Sequence, residues 1–501
     1  MKHNKILKAL FSVTGVILLS KLLGFVKQMV TAGVFGATIE TDLIHLSEGF
    51  VGNIKYVLVQ TLLTAFVAVY LHTKEEDDGA ARRFAADTGR AFTAITAVMV
   101  AVVMLFAPQI ARIIAPSYPA ELTARLAMYL RIFSPALVLF VWIAVFHALL
   151  NANQRFIPGE LEGANQSLIL LALVAGLASV LGVRILVVAF LAAAVWNALF
   201  LGVVSRRYWE AARSNPFRNP AVKELLRMTG PLLLGYAMVY INQQVGNILV
   251  SGLEAGTVTA MDYAAVLFNL VGTLIGSFCS ILFTYITKKI SQKDHESAAR
   301  LTLRAAVLLV AVFLPISILM ILCAEDIVTI VYGRGAFAAD NIRVAADALV
   351  GFSLGVVPLV VRDLFSRVQY AYQDSKQPMI NSTVSIAVNI GLSVALCPVL
   401  GVLGVSMAGS VSLLVCGGLN LITARRHNAF LRYGELLKCL PWLCVGSVVC
   451  LLTARWSIGC WQTQGALLRF ALVTLTAGGA YALSVSPLLL RLLRKENEPA
   501  A

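Results

Sequence analysis

The sequence predicts an all-α polytopic membrane protein with 14 transmembrane helices. Two parallel six-helix repeats come first, and two C-terminal helices follow. Three observations predict this. Of the 501 residues, 59% are hydrophobic and 13% charged, against about 45–50% and about 25% in a soluble domain, and mean hydropathy is +0.83. Positive charge alternates between successive loops. The chain also repeats itself at a nearly constant offset.

The spans come first. A membrane-crossing helix takes about 20 mostly apolar residues. Such stretches lie at 8–36, 43–71, 85–107, 120–150, 165–182, 185–205, 222–251, 258–287, 302–323, 342–372, 378–398, 402–424, 435–454 and 466–490. The first has Lys2, Lys5 and Lys8 ahead of it, as a signal peptide would. Its apolar run is too long for a signal core and lacks an early small-residue cleavage site, so it is expected to be an uncleaved first span.

The loops give the orientation. Alternate connections carry Lys74, Arg82 and Arg83; Arg206, Arg207, Arg213 and Arg218; Lys288, Lys289 and Lys293; Arg425, Arg426 and Arg432; and the tail residues Arg491, Arg494 and Lys495. The other set holds little beyond Arg112, Arg184, Arg334 and Arg455. Basic loops stay in the cytoplasm, so both termini are expected there. The net charge of +14 then faces anionic lipid, and nucleic acid is not an expected partner. No connection is long enough to form a separate soluble domain.

The repeat gives the domains. "KALFSVTGVILLS" at 8–20 aligns with "KELLRMTGPLLLG" at 223–235, a shift of 215. At that shift Gln28 meets Gln243 and Tyr70 meets Tyr285. "FHALLNANQRFIP" at 146–158 resembles "FSRVQYAYQDSKQP" at 365–378, with the shift grown to 219–220. Each repeat holds six helices, an even number, so both copies run the same way. Parallel repeats of this kind build transporters. The expected division is a lobe at 1–210, a lobe at 211–430, and a segment at 431–501 with helices 13 and 14 and a cytoplasmic tail.

The chemistry lies inside the membrane. In "SKLLGFVKQMV" at 20–30, Lys21 is roughly 20 Å from either end of the first span, too far for its stem to reach water. A charge left in lipid there costs at least about 2.5–3.5 kcal/mol. Lys21 therefore needs a watery cavity or a counter-charge. Lys27 follows six residues on, about 120° around the helix, and Gly24 between them allows a bend. Lys55 adds a third cation in helix 2. Nearby acids are Glu40, Asp42 and Glu48. Two readings follow: a cationic pocket for an anionic substrate, or lysines paired with Asp42 or Glu48 to hold helices together.

In helix 10, Asp363 and Arg367 stand at i and i+4, the spacing of a structural ion pair; a substrate contact by Arg367 is the alternative. "GRGAF" at 333–337 reads as an outer turn and not a phosphate loop, because no strand or GK[ST] accompanies it. The chain has no Walker A motif, so ATP hydrolysis is not expected. Eight cysteines, all from Cys279 onward, read as buried small hydrophobes without zinc spacing. His45 and His147 read as packed or interfacial residues. No cofactor or metal is expected.

The residues also carry a family resemblance. "SKLLGFVKQMVTAGVFGATIETD" resembles the first helix and following turn of the MurJ (MviN) lipid II flippases. "VYGRGAFAADN", "YAYQDSKQP" and "NIGLSVALCPVLGVLGVSMAGSVS" resemble that family's signatures around helices 9 to 12. The likeness covers nearly the whole chain and places it in the multidrug/oligosaccharidyl-lipid/polysaccharide exporter superfamily. It implies a non-enzymatic flippase in the bacterial cytoplasmic membrane, moving an undecaprenyl-pyrophosphate-linked peptidoglycan precursor by alternating access. Cations in a cavity would meet the pyrophosphate, and the last two helices would receive the lipid tail. By resemblance the substrate-binding set is Lys21, Lys27, Lys55 and Asp42, with Gln28, Gln243 and Arg367 as a secondary set. Lys21 and Lys27 stand where the family usually has arginines, Lys55 stands near the family's cationic position in helix 2, Gln28 replaces an acid, and Val266 falls where many members carry arginine. Energy coupling would be to the membrane potential or a monovalent cation. The implied partners are the lipid-linked anionic glycan, membrane lipids and cell-wall synthesis proteins. Export of another lipid-linked polysaccharide is the first alternative. A multidrug antiporter comes next, disfavoured because cationic drugs need carboxylates. A membrane glycosyltransferase would need acidic or histidine clusters in larger outer loops.

Overall fold

The computed structural model describes residues 2–210, 215–337 and 339–494, with side chains except at 2–14, 231–232, 234–241, 243, 435 and 489–494. The helices in chain order are α1 (Lys2–Phe35), α2 (Ile39–Glu76), α3 (Asp78–Leu105), α4 (Ala107–Ile114), α5 (Ala120–Phe133), α6 (Ala136–Ala152), α7 (Ile157–Leu181), α8 (Ile185–Ser205) and α9 (Pro220–Val250). Then come α10 (Thr257–Ser291), α11 (His295–Leu322), α12 (Ala324–Tyr332), α13 (Ala339–Ser353), α14 (Val356–Ala371), α15 (Lys376–Ala424), α16 (Gly434–Cys460) and α17 (Ala466–Arg494). No strand occurs among the described residues.

Local chemistry sets the helix starts. Thr38 and Thr41 form a capping box at α2, and Asp77, Asn219 and Asp294 accept backbone N–H groups at the starts of α3, α9 and α11. Such caps satisfy donors that a helix start leaves open. Within the spans, hydroxyls donate to the carbonyl one turn back: Thr31 to Lys27 at 2.8 Å, Ser47 to Leu43 at 2.8 Å and Thr302 to Ala298 at 2.8 Å. A bilayer offers no water for these groups, so the helix itself must supply the partner.

The repeat is visible in the helix lengths. In the first copy α3, α4, α5 and α6 have 28, 8, 14 and 17 residues. Their counterparts α11, α12, α13 and α14 have 28, 9, 15 and 16. A hairpin follows in each copy. The turns are Gly182 (φ +56°) and Gly401 (φ +57°). In the first hairpin Asn165 Nδ2 donates to Asn197 Oδ1 at 3.1 Å; in the second, Asn381 Nδ2 donates to Asn420 Oδ1 at 2.7 Å and Ser385 Oγ to the Ser412 carbonyl at 2.6 Å. Residues so far apart in sequence meet only if each chain segment folds back on itself.

Ten helices among the described residues are long and apolar enough to cross a membrane, or eleven if α13 and α14, bent by 41°, form one span. Two of the ten, Ile157–Ser205 and Lys376–Ala424, have 49 residues each and are the two hairpins. With each hairpin giving two spans, and with the 31-residue α9, the fourteen expected spans fit this architecture.

The chain forms two compact units, Met1–Thr259 with Gly335–Phe337, and Ala260–Arg334 with Ala338–Ala501. In the first, Leu62, Phe66 and Tyr70 of α2 share a core with Phe84 of α3, Leu149 of α6, and Val222 and Leu225 of α9. Phe66 stacks on Phe84 at 5.1 Å. Helix α9 thus opens the second repeat in sequence yet packs on α2. "GRGAF" makes a turn that closes on α1: the Ala336 N–H donates to the Gly33 carbonyl at 2.8 Å. Gly335 has φ +63°, and a Cβ there would lie 2.0 Å from the Gly33 oxygen, so the turn needs glycine.

In the second unit, α16 and α17 share a core with α11, through Leu443, Cys450, Val473, Ala477 and Tyr481 against Val307, Ala311 and Leu319. Gly446 lets the last two helices approach; a Cβ would stand 2.5 Å from Val485 Cγ2. Between membrane helices such close contact is the main source of attraction. Arg469 of α17 grips Asp326 of α12, with Nε 3.0 and 2.9 Å from the two carboxylate oxygens. Five cysteines are buried and Cys439 is half-buried, but Cys444 and Cys460 are exposed; the expectation of buried cysteines fails for those two because α16 is a peripheral helix.

Candidate functional site

Helix α1 stays helical through Gly24. Gly24 lies against α7, where its Cβ would be 3.9 Å from Ser167 Oγ. One turn earlier, Ser20 Oγ donates to the Glu160 carbonyl at 3.0 Å. Lys21 is exposed and Lys27 half-buried. On an unbroken helix they stand about 9 Å apart along the axis and about 120° apart around it. Neither enters an ion pair among the described residues.

Lys55 has a partner that the sequence did not reveal. Its Nζ is paired with Glu162 of α7, with the two side chains 22% and 13% exposed. The ammonium also lies 4.7 Å above the Phe140 ring, a favourable cation–π position. Helix α7 therefore presents Glu160 and Gly163 to Ser20 and Glu162 to Lys55.

Of the acids expected beside the lysines, Asp42 and Glu40 are engaged elsewhere, and Glu48 is half-buried. Asp42 is 1% exposed. Its Oδ2 accepts the Gly256 N–H at 2.7 Å, and Oδ1 accepts the Thr259 N–H at 2.8 Å and the Thr259 hydroxyl at 2.6 Å. Asp42 was expected in the substrate-binding set; here it closes the first turn of α10, and burial leaves its carboxylate no open face for a ligand. Glu40 pairs with Arg125 and accepts from Tyr129 Oη at 3.4 Å. Gln28 is half-buried. The side chain of Gln243 lies outside the described residues.

In the second unit the expected Asp363–Arg367 pair does not form. Arg362 takes the carboxylate instead, its Nε and Nη2 donating to Asp363 Oδ1 at 2.9 and 2.6 Å. Arg367 reaches across to α10, where Nη1 donates to Ser280 Oγ at 2.8 Å and Nη2 to the Gly276 carbonyl at 3.2 Å. Small residues on that face of α10 leave room for the guanidinium. Among the described residues no group of His, Cys, Asp and Glu could hold a metal ion. His147 is buried and 3.9 Å from Glu160.

The family model for the lipid II flippase MurJ matches residues 31–476. The chain belongs to the MurJ family. A probable lipid II flippase MurJ of Rhizobium tropici is 25% identical over 482 residues, covering 90% of this chain and 88% of that one. That of Thermotoga maritima is 24% identical over 421 residues, covering 82% and 83%. Among solved structures, a lipid II flippase MurJ in an inward closed conformation superimposes with a TM-score of 0.80 at 18% identity, covering 96% of this chain and 100% of that one. A MATE-family multidrug transporter in an inward-facing conformation reaches 0.66 at 14% identity, covering 82% and 95%. The two likenesses establish a fold shared by MurJ and MATE proteins.

Within this MurJ-family chain, Lys21 and Lys27 precede the matched stretch, so their assignment rests on the residues themselves. Val266 is half-buried, and an uncharged side chain stands there. The candidate substrate cations of the first unit are Lys21 and Lys27 on α1 and Lys55 on α2.

Proposed function

We propose that this chain is a multi-pass flippase of the cytoplasmic membrane that moves a lipid II-like, undecaprenyl-pyrophosphate-linked precursor by alternating access. Family membership over residues 31–476 supports the cargo class and makes the chain a transporter, not an enzyme. The observation that carries the mechanism is the pair Lys21 and Lys27, two ammonium groups inside a span with no carboxylate partner among the described residues. Such charges call for an anion, and a pyrophosphate supplies one. Lys55 joins the set through an ion pair that a stronger anion can exchange, with Gln28 and Gln243 as secondary donors. Helices α16 and α17 of the 431–501 segment give a surface for the polyprenyl tail. Both termini lie in the cytoplasm, by the basic loops. The membrane potential or a monovalent cation drives the cycle, and cell-wall synthesis proteins receive the product.

The test is transport by Lys21→Ala, Lys27→Ala protein in a strain depleted of its own lipid II flippase and in vesicles. Each charge-assisted hydrogen bond is worth about 1.5–3 kcal/mol, so each loss weakens binding roughly tenfold to a hundredfold. Lys→Arg variants keep most of the activity, because arginine retains the charge and grips phosphate with a fork. A stable, inserted double variant that moved the lipid at the normal rate would sink the cationic-pocket mechanism.

A further inference from the structure

A second group of cations lies in the second unit. Helices α10, α14 and α15 line a cavity of about 470 Å³ that contains Arg362, Asp363, Ser366, Arg367, Tyr370 and Ser382. Asp363 neutralises Arg362. Among the described residues Arg367 leans only on neutral oxygens, those of Ser280 and Gly276, so among them the cavity carries one uncompensated positive charge. Two of the five guanidinium N–H donors of Arg367 are engaged there, and an oxyanion can use the rest. A charged residue in a span pairs with another ion or with backbone carbonyls and marks a substrate pathway; the carboxylate that lines this cavity, Asp363, is already held by Arg362.

Position adds to the argument. Arg367 is four residues and Arg362 nine residues from the end of α14 at Ala371, about 6 and 14 Å along the axis. Ser382 is six residues into α15, about 9 Å. The cavity thus occupies the half of these helices nearest the 372–375 turn, the cytoplasmic side by the basic-loop orientation. The repeat does not reproduce it. At a shift of 220, Arg362 and Arg367 match Trp142 and His147. Trp142 packs on Phe146 and Trp209 at 5.4 and 6.1 Å, and His147 stands where a Cβ on Gly159 would lie 2.3 Å from its ring, so the equivalent space is filled. Conversely, at a shift of 215 Lys21, Lys27 and Lys55 match Tyr236, Asn242 and Leu270. The two repeats place membrane cations on non-equivalent helices.

We propose that the Arg362/Arg367 cavity is a second oxyanion station, which takes the diphosphate of the lipid-linked cargo on the cytoplasmic side. The assignment rests on the transport reading above, and arginine's planar fork suits phosphate oxygens. The test is titration of the purified full-length protein, in nanodiscs of zwitterionic lipid, with farnesyl diphosphate, alongside melting temperature. Wild-type protein binds two equivalents. Arg367→Gln weakens one of them tenfold or more and leaves the other. Ser382→Phe, which fills the cavity from an exposed position on α15, does the same without altering a charge. Lys21→Ala, Lys27→Ala removes the other equivalent and spares this one, so failure of the lysine pocket and failure of this station read differently. Competition by inorganic pyrophosphate supports the phosphate chemistry. Folded Arg367→Gln and Ser382→Phe proteins that both bind two equivalents with wild-type affinity overturn the station. Equal competition by phosphatidylglycerol incorporated in the nanodisc overturns its assignment to cargo and gives the cavity to bulk anionic lipid.

Discussion

Replacing Asp42 by alanine removes one buried carboxylate and strands three donors. The Gly256 and Thr259 N–H groups and the Thr259 hydroxyl each lose their acceptor, and with Asp42 1% exposed water does not replace it. Loss of an ordinary helix cap costs about 0.5–2 kcal/mol, and a buried donor left unpaired costs about 1–3 kcal/mol. Part of the second cost is relieved by rotation of the hydroxyl, so about 3–5 kcal/mol is expected for Asp42→Ala. At about 2–4 °C per kcal/mol for a unit of this size, the melting temperature in detergent falls by roughly 6–20 °C. Asp42→Asn keeps one acceptor oxygen but turns an amide N–H toward a backbone N–H, and loses about a third to a half of that. The assay is thermal unfolding of purified protein beside lipid transport. Under the capping role, stability and transport fall together and in the order Asn, then Ala. An Asp42→Asn protein with wild-type melting and abolished transport would refute it and return Asp42 to the substrate.

Three more outcomes follow from the structure. Arg469→Ala leaves Asp326 unpaired; with the two side chains 26% and 7% exposed the cost is about 2–4 kcal/mol, below that of a fully buried pair, whereas Asp326→Leu, Arg469→Leu recovers most of it in the same melting assay, and a double variant no better than the single would count against the pair. Asp374 accepts the Gln377 and Lys376 N–H groups and His427 Nε2, and these bonds, the Gln377 N–H first, hold its carboxyl below the usual range. Its contribution is therefore present at neutral pH and is lost as pH falls through that lowered value, so melting temperatures of wild type and Asp374→Asn should converge on acidification and stay apart at neutral pH. In a cysteine-free background, a cysteine placed at Arg207 stays unlabelled from outside intact cells, while one at Ala255 is modified; strong outside labelling at Arg207 would overturn the orientation.

The fold was legible because the bilayer imposes a one-dimensional code. Apolar length and loop charge are local properties, and the repeat offset of 215 growing to 219–220 reappears as matched helix lengths in α3–α6 and α11–α14. The turn at Gly335 was legible for the same reason: glycine favours that left-handed angle. Partnerships were not, because they join residues far apart in the chain. The fifth span was expected to begin at 165, but α7 begins at Ile157. Those eight residues hold Glu160 and Glu162, so the counter-charge of Lys55 lies ahead of the apolar stretch by which the span is recognised. An i, i+4 rule paired Asp363 with Arg367, yet the adjacent Arg362 curls back onto the carboxylate with two bonds, a geometry that spacing on a helical wheel does not describe.

The same comparison bears on how the cations divide. Lys21 and Lys27 flank the face of α1 that Ser20 and Gly24 press against α7, so the small residues between them hold the helix and the lysines project to either side. Lys55 differs: Glu162 and Phe140 already compensate it. An anion meeting Lys55 must displace a carboxylate, while one meeting Lys21 or Lys27 displaces only water. Removing Lys21 or Lys27 should thus reduce transport without loss of fold. Lys55→Ala leaves Glu162 stranded and should lower stability, and Lys55→Ala, Glu162→Gln should restore the melting temperature. If that double variant also restored transport, Lys55 would belong to the scaffold; if stability returned while transport stayed low, its ammonium would belong to the pocket.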